Sequence, residues 1–306
     1  MHDITTIGSA TVDIFMKSPE FQLEKADKGV LLCQEYGGKI DIEDFFWQSG
    51  GAGTNTAVGF ARMGFKTAAV VEIGKDIFGQ CVYDELRKDN VDTGFVVSEV
   101  GEQTAVSTIM ISSQGGRSIL THRGASGMLE ARDIPWELLQ NSRWIHLSNV
   151  SANTELIFQL FDNVRSSLIG MSWNPGKKEL ELIASGKIRP EHIPCDILMM
   201  NKEEWEILKD VQEMLLDTIE QVVITDGKKG GHVYMKHHYD YEYKAGDVQA
   251  VQETGAGDAF LVGYVSAHLL GKDIEECCQW GVKNSGSVIT HMGAKTGLLH
   301  RRDFSM

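Results

Sequence analysis

The chain has 306 residues, of which 42% are hydrophobic and 24% charged, a composition typical of a globular protein that excludes disordered and fibrous classes. Its 43 acidic side chains outnumber 29 basic ones for a formal net charge of −14, so we expect no nucleic acid and no membrane among its partners. The five cysteines form no CxxC pair and no uncharged apolar stretch reaches about 18 residues, so we expect a soluble, unprocessed, cytoplasmic protein with reduced thiols.

The N-terminal part of the chain mixes β-rich and glycine-rich segments. A β-rich run from Ile4 ends near Asp13, which predicts a central strand whose end opens on a ligand site. Residues 17–46 then alternate in short pieces, and so do residues 104–124, where a turn at 114–116 predicts a hairpin. We predict that these two insertions pair into one small sheet beside the main fold.

The rest of the chain alternates between strands and helices. From Trp144 onward, β-rich segments such as QVVITDG alternate with helical segments of roughly 10 to 15 residues. This alternation predicts an α/β fold with a largely parallel sheet covered by helices on both faces. Ligands of such folds bind beyond the carboxyl ends of the strands. The loops that meet this criterion are those at Asp13, Gly50, Asn174, Asn201, Thr225 and Thr254.

The clearest chemical signal is ETGAGDAF at residues 253–260, where an apolar helix begins. Glycines let the backbone approach a ligand, and the N–H groups of a helix start bind anions, so Gly255, Ala256 and Gly257 predict a phosphoryl site. Asp258 falls in the first helical turn. There it either stabilises the helix end or accepts the proton of a hydroxyl that attacks a γ-phosphate.

TGAGDAF closely resembles the C-terminal signature of the ribokinase-like (PfkB) family of carbohydrate and nucleoside kinases. GGAGTNTAVGFARMG and VVEIGKDIFG resemble the N-terminal signature of the same family, about two hundred residues earlier. The resemblance implies a single ribokinase-like α/β domain over residues 1–306, with a central, mostly parallel sheet flanked by helices. It also implies a small β-sheet lid from insertions at approximately 14–46 and 104–122. The implied activity is phosphotransfer from ATP, with Mg²⁺, to a hydroxyl of a sugar or related small polyol.

On the acceptor side, the resemblance implies a base and a set of residues around the sugar. Asp258 matches the family's catalytic base, and residues 255–257 match its anion hole. Arg123, at a strand end in THRGAS, either meets a carboxylate or phosphate on the acceptor or is a solvated lid arginine. The positions that hold the acceptor's hydroxyls in the family match Asp13, Gly50, Gly51 and Asn55.

On the nucleotide side, NKEEWEIL matches the family's NxxE motif. Asn201 and Glu204 share one side of a helix start, where Glu204 would hold Mg²⁺ through water, and a surface helix cap is the alternative. An ordinary β-turn is likewise the alternative for TDG. Where the family often has an aspartate of a monovalent-cation site, this chain has Gln252, so activation by potassium is left open. The remaining nucleotide contacts are implied at Thr225, Gly227, Thr254, Asn284 and Gly293.

The acceptor's identity stays open at this point. IHLSNVSA lacks the glutamate that ribokinase proper has near this position, which disfavours D-ribose. The alternative is a nucleoside kinase of the adenosine, inosine or cytidine type, with the base stacked on aromatic residues within 45–47. Lids often pair in the family, so the lid would also allow a homodimer.

Activities of other classes are disfavoured. GSATVD does not match the GxGxxG of a nicotinamide-dependent oxidoreductase, and no Walker A loop is present. A non-catalytic sugar-binding protein would not need Asp258. His237 and His238 in MKHHYDYEY suggest either a metal site or an exposed hairpin with alternating tyrosines, and we expect the hairpin.

Overall fold

The structure, a computed structural model, describes residues 1–27, 29–114, 116–167, 169–236 and 239–304. Its helices are α1 Ala52–Arg62, α2 Ile77–Lys88, α3 Trp136–Gln140, α4 Thr154–Ser167, α5 Lys177–Ala184, α6 Lys202–Ile207, α7 Gln212–Thr218, α8 Ala256–Leu269 and α9 Ile274–Ile289. Its strands are β1 His2–Ile7, β2 Thr11–Ser18, β3 Gln22–Ala26, β4 Gly29–Cys33, β5 Asp44–Gly50, β6 Thr67–Val70, β7 Glu72–Gly74, β8 Val97–Glu99, β9 Ala105–Ser112, β10 Arg117–His122, β11 Ser142–Leu147, β12 Gly170–Trp173, β13 Ile197–Asn201, β14 Gln221–Thr225, β15 Gly231–Met235 and β16 Tyr239–Tyr243.

In the described residues, the main sheet has the strand order β16-β15-β14-β13-β12-β11-β1-β6. The strands from β14 to β6 pair in parallel, and β15 and β16 add an antiparallel edge. Strands buried on both faces need apolar side chains in both directions, which explains continuous runs such as ILMM in β13. The predicted mostly parallel sheet is therefore confirmed.

Helices cover both faces of this sheet, as predicted. One face packs a core that includes Leu160 and Phe161 of α4. The opposite face packs a core that includes Phe60 of α1 and Phe260 of α8. Helix α8 is buried at every residue from 259 to 267, so the packing fixes its N-terminus firmly against the sheet. In the described part of the chain, no helix is both long enough and apolar enough to cross a membrane.

A separate four-stranded sheet, called here the small sheet, has the order β10-β9-β2-β5. Strand β2 pairs in parallel with β9 and antiparallel with β5, so the two insertions meet in one sheet. The prediction is wrong for β3 and β4 of the first insertion, which pair with each other in a separate two-stranded sheet. The β9–β10 hairpin is present, although residue 115 of its predicted turn lies outside the described residues. The strands of the first insertion begin at Thr11 and end at Gly50, beyond the limits of 14 and 46 expected from the sequence.

The position of Asp13 differs from the sequence prediction. The first β-rich run is not one strand, because β1 ends at Ile7 and β2 begins at Thr11 in the other sheet. Asp13 therefore lies inside the first strand of the small sheet and not at the end of a central strand. The break at residues 8–10 places this carboxylate where the two sheets meet.

Candidate active site

The first turn of α8 forms a glycine-lined recess. Gly255 precedes the helix with a φ of 80°, a left-handed conformation that favours glycine, and a Cβ built on it would lie 2.4 Å from the Cβ of Ala294. At Gly257, a Cβ would meet no atom of the described residues within 4 Å. The first N–H groups of a helix lack intrahelical acceptors, so this recess can bind an anion such as a phosphoryl group.

Asp258 stands in the same turn and contacts helix α1. Its Oδ2 accepts a hydrogen bond of 2.8 Å from Nδ2 of Asn55, whose residue is 4% exposed. Burial raises the pKa of Asp258, while the bond from Asn55 and the charge of Lys295 lower it. The carboxylate is thus held in one orientation beside the recess. A base that accepts a hydroxyl proton needs this kind of fixed position.

Asp13 approaches the same region from β2 and is buried. Burial raises the pKa of Asp13 to about 6; Ser107 and Lys295 lower it, and the charge of Asp258 raises it further. Asp13 and Asp258 therefore belong to one electrostatic site. The charge of Lys295 lowers the pKa of both carboxyl groups and so offsets part of the repulsion between them.

Two glycines let the chain pass close to Asp13 between β5 and α1. A Cβ on Gly50 would lie 2.1 Å from Oδ2 of Asp13, which leaves no room for a side chain. Gly51 has a φ of 90°, and a Cβ built on it would lie 2.6 Å from the carbonyl oxygen of Ser9. The structure thus brings together five residues selected from the sequence: Asp13, Gly50, Gly51, Asn55 and Asp258.

Sequence reasoning missed a buried lysine in this region. Lys295 is 2% exposed. Its Nζ atom contacts the Ser49 hydroxyl and lies 3.9 Å from Oε2 of Glu85. Burial lowers the pKa of Lys295 to about 8, and acids including Glu85 and Asp13 raise it. The side chain therefore supplies positive charge to the carboxylates near neutral pH. Its sequence signal was a basic residue two positions after Gly293, in HMGAKTG.

Gln252 joins the glycine loop to the segment around Gly293. Its Oε1 accepts from the Thr254 N–H at 2.8 Å, and its Nε2 donates to the carbonyls of Thr254 at 3.0 Å and Gly293 at 3.3 Å. The residue is 8% exposed. A neutral amide therefore satisfies carbonyl oxygens of the kind that a metal cation takes as ligands. The Gln252 side chain thus ties the loop before Gly255 to the segment around Gly293.

Asn201 and Thr225 are neighbours at the carboxyl ends of β13 and β14. Asn201 and Glu204 cap helix α6 reciprocally: Oδ1 of Asn201 accepts from the Glu204 N–H, and the Asn201 N–H donates to Oε2 of Glu204, both at 2.9 Å. Burial raises the pKa of Glu204. Gly227, with a φ of 52°, follows Thr225 in an exposed turn. These four residues share one edge of the main sheet.

Three further residues that the resemblance assigns to the nucleotide, Thr254, Asn284 and Gly293, lie near α8. The Thr254 hydroxyl is buried without a hydrogen-bond partner in the described residues, and Gly293 is buried with a φ of 82°. Asn284 is fully buried; its Nδ2 donates to the carbonyl of Ala259 at 2.7 Å, and its Oδ1 accepts from the Leu299 N–H at 2.9 Å. In this arrangement Asn284 has no surface left for adenosine. It supports the chain around the site from inside.

A cavity of about 120 Å³ adjoins Asp13 between the small sheet and the loop after β11. Ser107, which lies opposite Asp13 in the strand register, and Asn149 contribute neutral polar walls. Arg123, which follows β10, is the one charged side chain among the described residues that line the cavity. Ser151 lines it with a φ of 58°, a conformation that is uncommon outside glycine and often found at functional sites.

Two of the residues assigned to the nucleotide, Glu204 and Thr254, fit a metal that is bound mainly by phosphates. Within the described ranges, no three or more His, Cys, Asp or Glu side chains are grouped to hold a metal ion. Mg²⁺ takes substrate phosphates, waters and only one or two carboxylates, and Glu204 and the unsatisfied Thr254 hydroxyl suit such a complex. His237 and His238 lie outside the described residues.

Comparison with known families identifies the chain. A sequence model described as "pfkB family carbohydrate kinase" matches residues 1–301. The chain belongs to the pfkB family. The ribokinase-like resemblance is therefore confirmed, and this pfkB protein is a kinase, a phosphotransferase with an alcohol group as acceptor.

Relatives of this pfkB kinase include both sugar and nucleoside kinases. The ribokinase of Haemophilus influenzae is 25% identical over 319 residues, covering 98% of this chain and 96% of that protein. A structure of Arabidopsis thaliana ribokinase complexed with ribose and ATP superposes with a TM-score of 0.78, at 21% identity over 99% of this chain and 97% of that one. The nucleoside kinase of Methanocaldococcus jannaschii gives 0.80 at 22% identity, over 99% and 96%. Both structures share the fold of this chain.

Proposed function

We propose that this kinase transfers the γ-phosphoryl group of Mg-ATP to a hydroxyl of a sugar or related small polyol. The observation that carries the proposal is the Asp258 carboxylate, held by Asn55 in the first turn of α8. Asp258 accepts the proton of the attacking hydroxyl, while Gly255, Ala256 and Gly257 form the anion hole for the transferring group. A strong base is not needed, because phosphoryl transfer depends mainly on positioning and charge stabilisation.

The acceptor binds between Asp13 and Asn55. The Oδ1 atom of Asn55 is buried without a hydrogen-bond partner in the described residues, so it is free to accept from an acceptor hydroxyl. Gly50 and Gly51 let the chain pass close to Asp13 and so shape the acceptor site, and Arg123 lines the cavity beyond. The small sheet serves as a lid that keeps water from the reacting phosphoryl group.

The nucleotide lies along the ends of β13 and β14. Asn201, Thr225, Gly227, Thr254 and Gly293 contact it, and Asn284 supports the site from within. Glu204 would hold Mg²⁺ through water. When bound, the ion neutralises charge on the triphosphate. Because Gln252 already satisfies the carbonyls of Thr254 and Gly293, the reaction needs no monovalent cation.

The test is ADP release from Mg-ATP, coupled to NADH oxidation, across a panel of neutral sugars, sugar acids and nucleosides. Mass spectrometry of the acceptor product identifies what has been phosphorylated. We expect one acceptor class to give strong turnover that Asp258→Asn loses. Tight sugar binding with no ADP release from any acceptor would contradict the proposal and favour a non-catalytic sugar-binding protein.

A nucleoside kinase is the second candidate, favoured by an aromatic residue of β5. The strand register pairs Gln48 with Asp13 and Phe46 with Phe15, so Phe46 lies on the face of the small sheet that carries Asp13, where a nucleobase could stack. Adenosine, inosine and cytidine in the same panel decide between the candidates. Turnover of a nucleoside above every sugar would select this one.

We also propose that the small sheet mediates assembly. Its edge strands expose apolar side chains, among them Phe45 and Leu120, which favours a homodimer formed through the lid. Sedimentation at micromolar concentration tests this, and a monomer would contradict it.

The five cysteines are free thiols, which supports a place in the reducing cytoplasm.

A further inference from the structure

A fully buried acid, Glu179, connects helix α5 to the loop that follows β11. The residue is 0% exposed and lies in the first turn of α5. Its Oε1 atom accepts hydrogen bonds from the N–H groups of Val150 at 3.1 Å and Ala152 at 2.7 Å. An acid in the first turn usually stabilises the start of its own helix, but these two bonds come from a separate loop. The carboxyl group of Glu179 therefore serves residues 150–152.

The loop that Glu179 holds has an unfavourable backbone conformation. Ser151 and Ala152 have φ angles of 58° and 60°, so two consecutive residues other than glycine adopt the left-handed conformation. The Ser151 N–H lies between the two that bond to Glu179 and donates to Oδ1 of Asn149 at 2.7 Å. Such strain persists where surrounding contacts enforce it, and it is common at functional sites. Side chains thus fix three successive N–H groups of this loop.

Fold stability alone does not explain an acid at this position. The second carboxyl oxygen of Glu179, Oε2, is buried without a hydrogen-bond partner in the described residues. Burying an acid with an unsatisfied oxygen is unfavourable. A Cβ built on Gly176 would lie 2.9 Å from this Oε2 and 2.5 Å from Nδ2 of Asn149, so a side chain at position 176 would displace both groups. The close approach of α5 to the loop therefore depends on this glycine as well as on the acid.

The same loop forms part of the wall of the cavity beside Asp13. Asn149 and Ser151 line this cavity, whereas Glu179 is not among the described residues that line it. Because the Ser151 N–H occupies Oδ1 of Asn149, Nδ2 is the amide atom that remains to donate to an acceptor hydroxyl. A change of φ at residues 151 and 152 would move this part of the wall.

We propose that Glu179 is a positioning residue, which holds residues 149–152 in the strained conformation that shapes the cavity for the acceptor. It acts through the loop, without contacting the acceptor and without taking part in proton transfer. This inference rests on the acceptor site proposed above and adds a determinant of its shape. Loss of the contact should therefore impair use of the acceptor while ATP binding stays the same.

The experiment measures kcat and KM for the best acceptor of the panel, and KM for ATP, in wild-type protein, Glu179→Gln, Glu179→Asp and Glu181→Asp. Glutamine keeps an accepting oxygen at the same distance, so kcat/KM for the acceptor should stay within about threefold of wild type. Aspartate keeps the acid but withdraws the oxygen from both N–H groups, so this ratio should fall about tenfold or more, with KM for ATP within about twofold. Glu181, exposed on the same helix, is the matched control.

Three results of these measurements would overturn the proposal. They are no loss in Glu179→Asp, an equal loss in Glu179→Gln, or a rise in KM for ATP as large as the rise in KM for the acceptor. The last result would indicate a general structural role for Glu179.

A further variant tests whether Glu179 acts through the loop conformation. Glycine adopts a left-handed φ without penalty, so adding Ala152→Gly to Glu179→Asp should recover at least about threefold in kcat/KM for the acceptor. No recovery would show that Glu179 does not act by holding this conformation, and it would overturn the proposal.

Failure of the proposed function gives a different pattern. If no acceptor turns over in wild-type protein, the proposed phosphoryl transfer fails, and calorimetry with the sugars of the panel tests the loop by itself. Sugar binding that Glu179→Asp weakens about tenfold and Glu179→Gln retains would support the inference. Equal binding by the three proteins, or no sugar binding by wild-type protein, would overturn it.

Discussion

The residues proposed for the acceptor and those proposed for the nucleotide differ in how firmly the protein itself holds their side chains. On the acceptor side, Asp13 and Asn55 are buried and Asn55 bonds directly to Asp258. On the nucleotide side, Asn201 and Gly227 are exposed, and the polar groups of Asn201 bond to its own helix cap. Packing therefore fixes the residues proposed for the acceptor, whereas we expect those proposed for the nucleotide to be ordered by the nucleotide when it binds. Substitutions should affect kcat on the first side and ATP or Mg²⁺ affinity on the second.

The largest effect is expected from Asp258→Asn, which keeps the size of the side chain and removes the base. We expect kcat to fall about 10²- to 10⁴-fold with the melting temperature little changed. Glu275→Gln, which alters an exposed first-turn acid of the neighbouring helix α9, is the control and should retain activity. Near-normal turnover of Asp258→Asn would refute the assignment of the base.

The two glycines of the recess should respond in opposite ways. Gly255→Ala forces a left-handed φ on alanine and a clash with Ala294, so the free energy of unfolding should fall by about 1–3 kcal/mol. Gly257→Ala faces open space inside a helix and should leave that free energy unchanged or raise it by about 0.5–1 kcal/mol, while the methyl group lowers turnover. Urea denaturation and kcat separate the two, and an unaltered stability of Gly255→Ala would contradict the geometry.

The pH profile of kcat/KM tests the charges on the acceptor side. Asp13 must be ionised and Lys295 protonated, so activity should rise as pH increases through about 6 and fall as it increases beyond about 8. Lys295→Met removes a charge that lowers the pKa of Asp13, so the acid limb should move to higher pH. An acid limb that stays in place would show that Lys295 does not act on Asp13.

On the nucleotide side, Glu204→Gln separates capping from metal binding. Glutamine can keep the reciprocal cap with Asn201, so the melting temperature should not change. The Mg²⁺ concentration for half-maximal activity should rise about tenfold, because the negative charge is lost. Glu203→Gln, one residue earlier and exposed, is the control. An unchanged Mg²⁺ dependence in Glu204→Gln would remove this residue from the metal site.

The smallest effect is expected from the choice of monovalent cation. Replacing potassium by sodium or choline should leave wild-type turnover unchanged, because Gln252 already donates to the carbonyls of Thr254 and Gly293. Gln252→Asp cannot donate to them, so its turnover should become lower in choline than in potassium. A wild-type protein that requires potassium would show that the amide does not replace an ion.

Parts of the site were predictable from the sequence to different degrees. TGAGDAF predicted that a helix begins here with Asp258 in its first turn, as α8 does. Small residues at the start of a buried helix are typical of an anion-binding site. Asp13 was expected at the end of a central strand, yet an apolar pattern does not reveal that the chain changes sheets after Gly8. Lys295 was missed because its burial depends on partners remote in sequence, such as Glu85.

The most direct test of the central claim, that Asn55 positions Asp258 as the base, is a double-mutant cycle. Single-turnover phosphoryl transfer is measured at saturating Mg-ATP and acceptor for wild-type protein, Asn55→Ala, Asp258→Asn and the double variant. Residues in contact couple, so we predict that the double variant transfers at about the rate of Asp258→Asn alone. A double variant slowed by the product of the two single effects would show that the residues act independently, and it would contradict this claim.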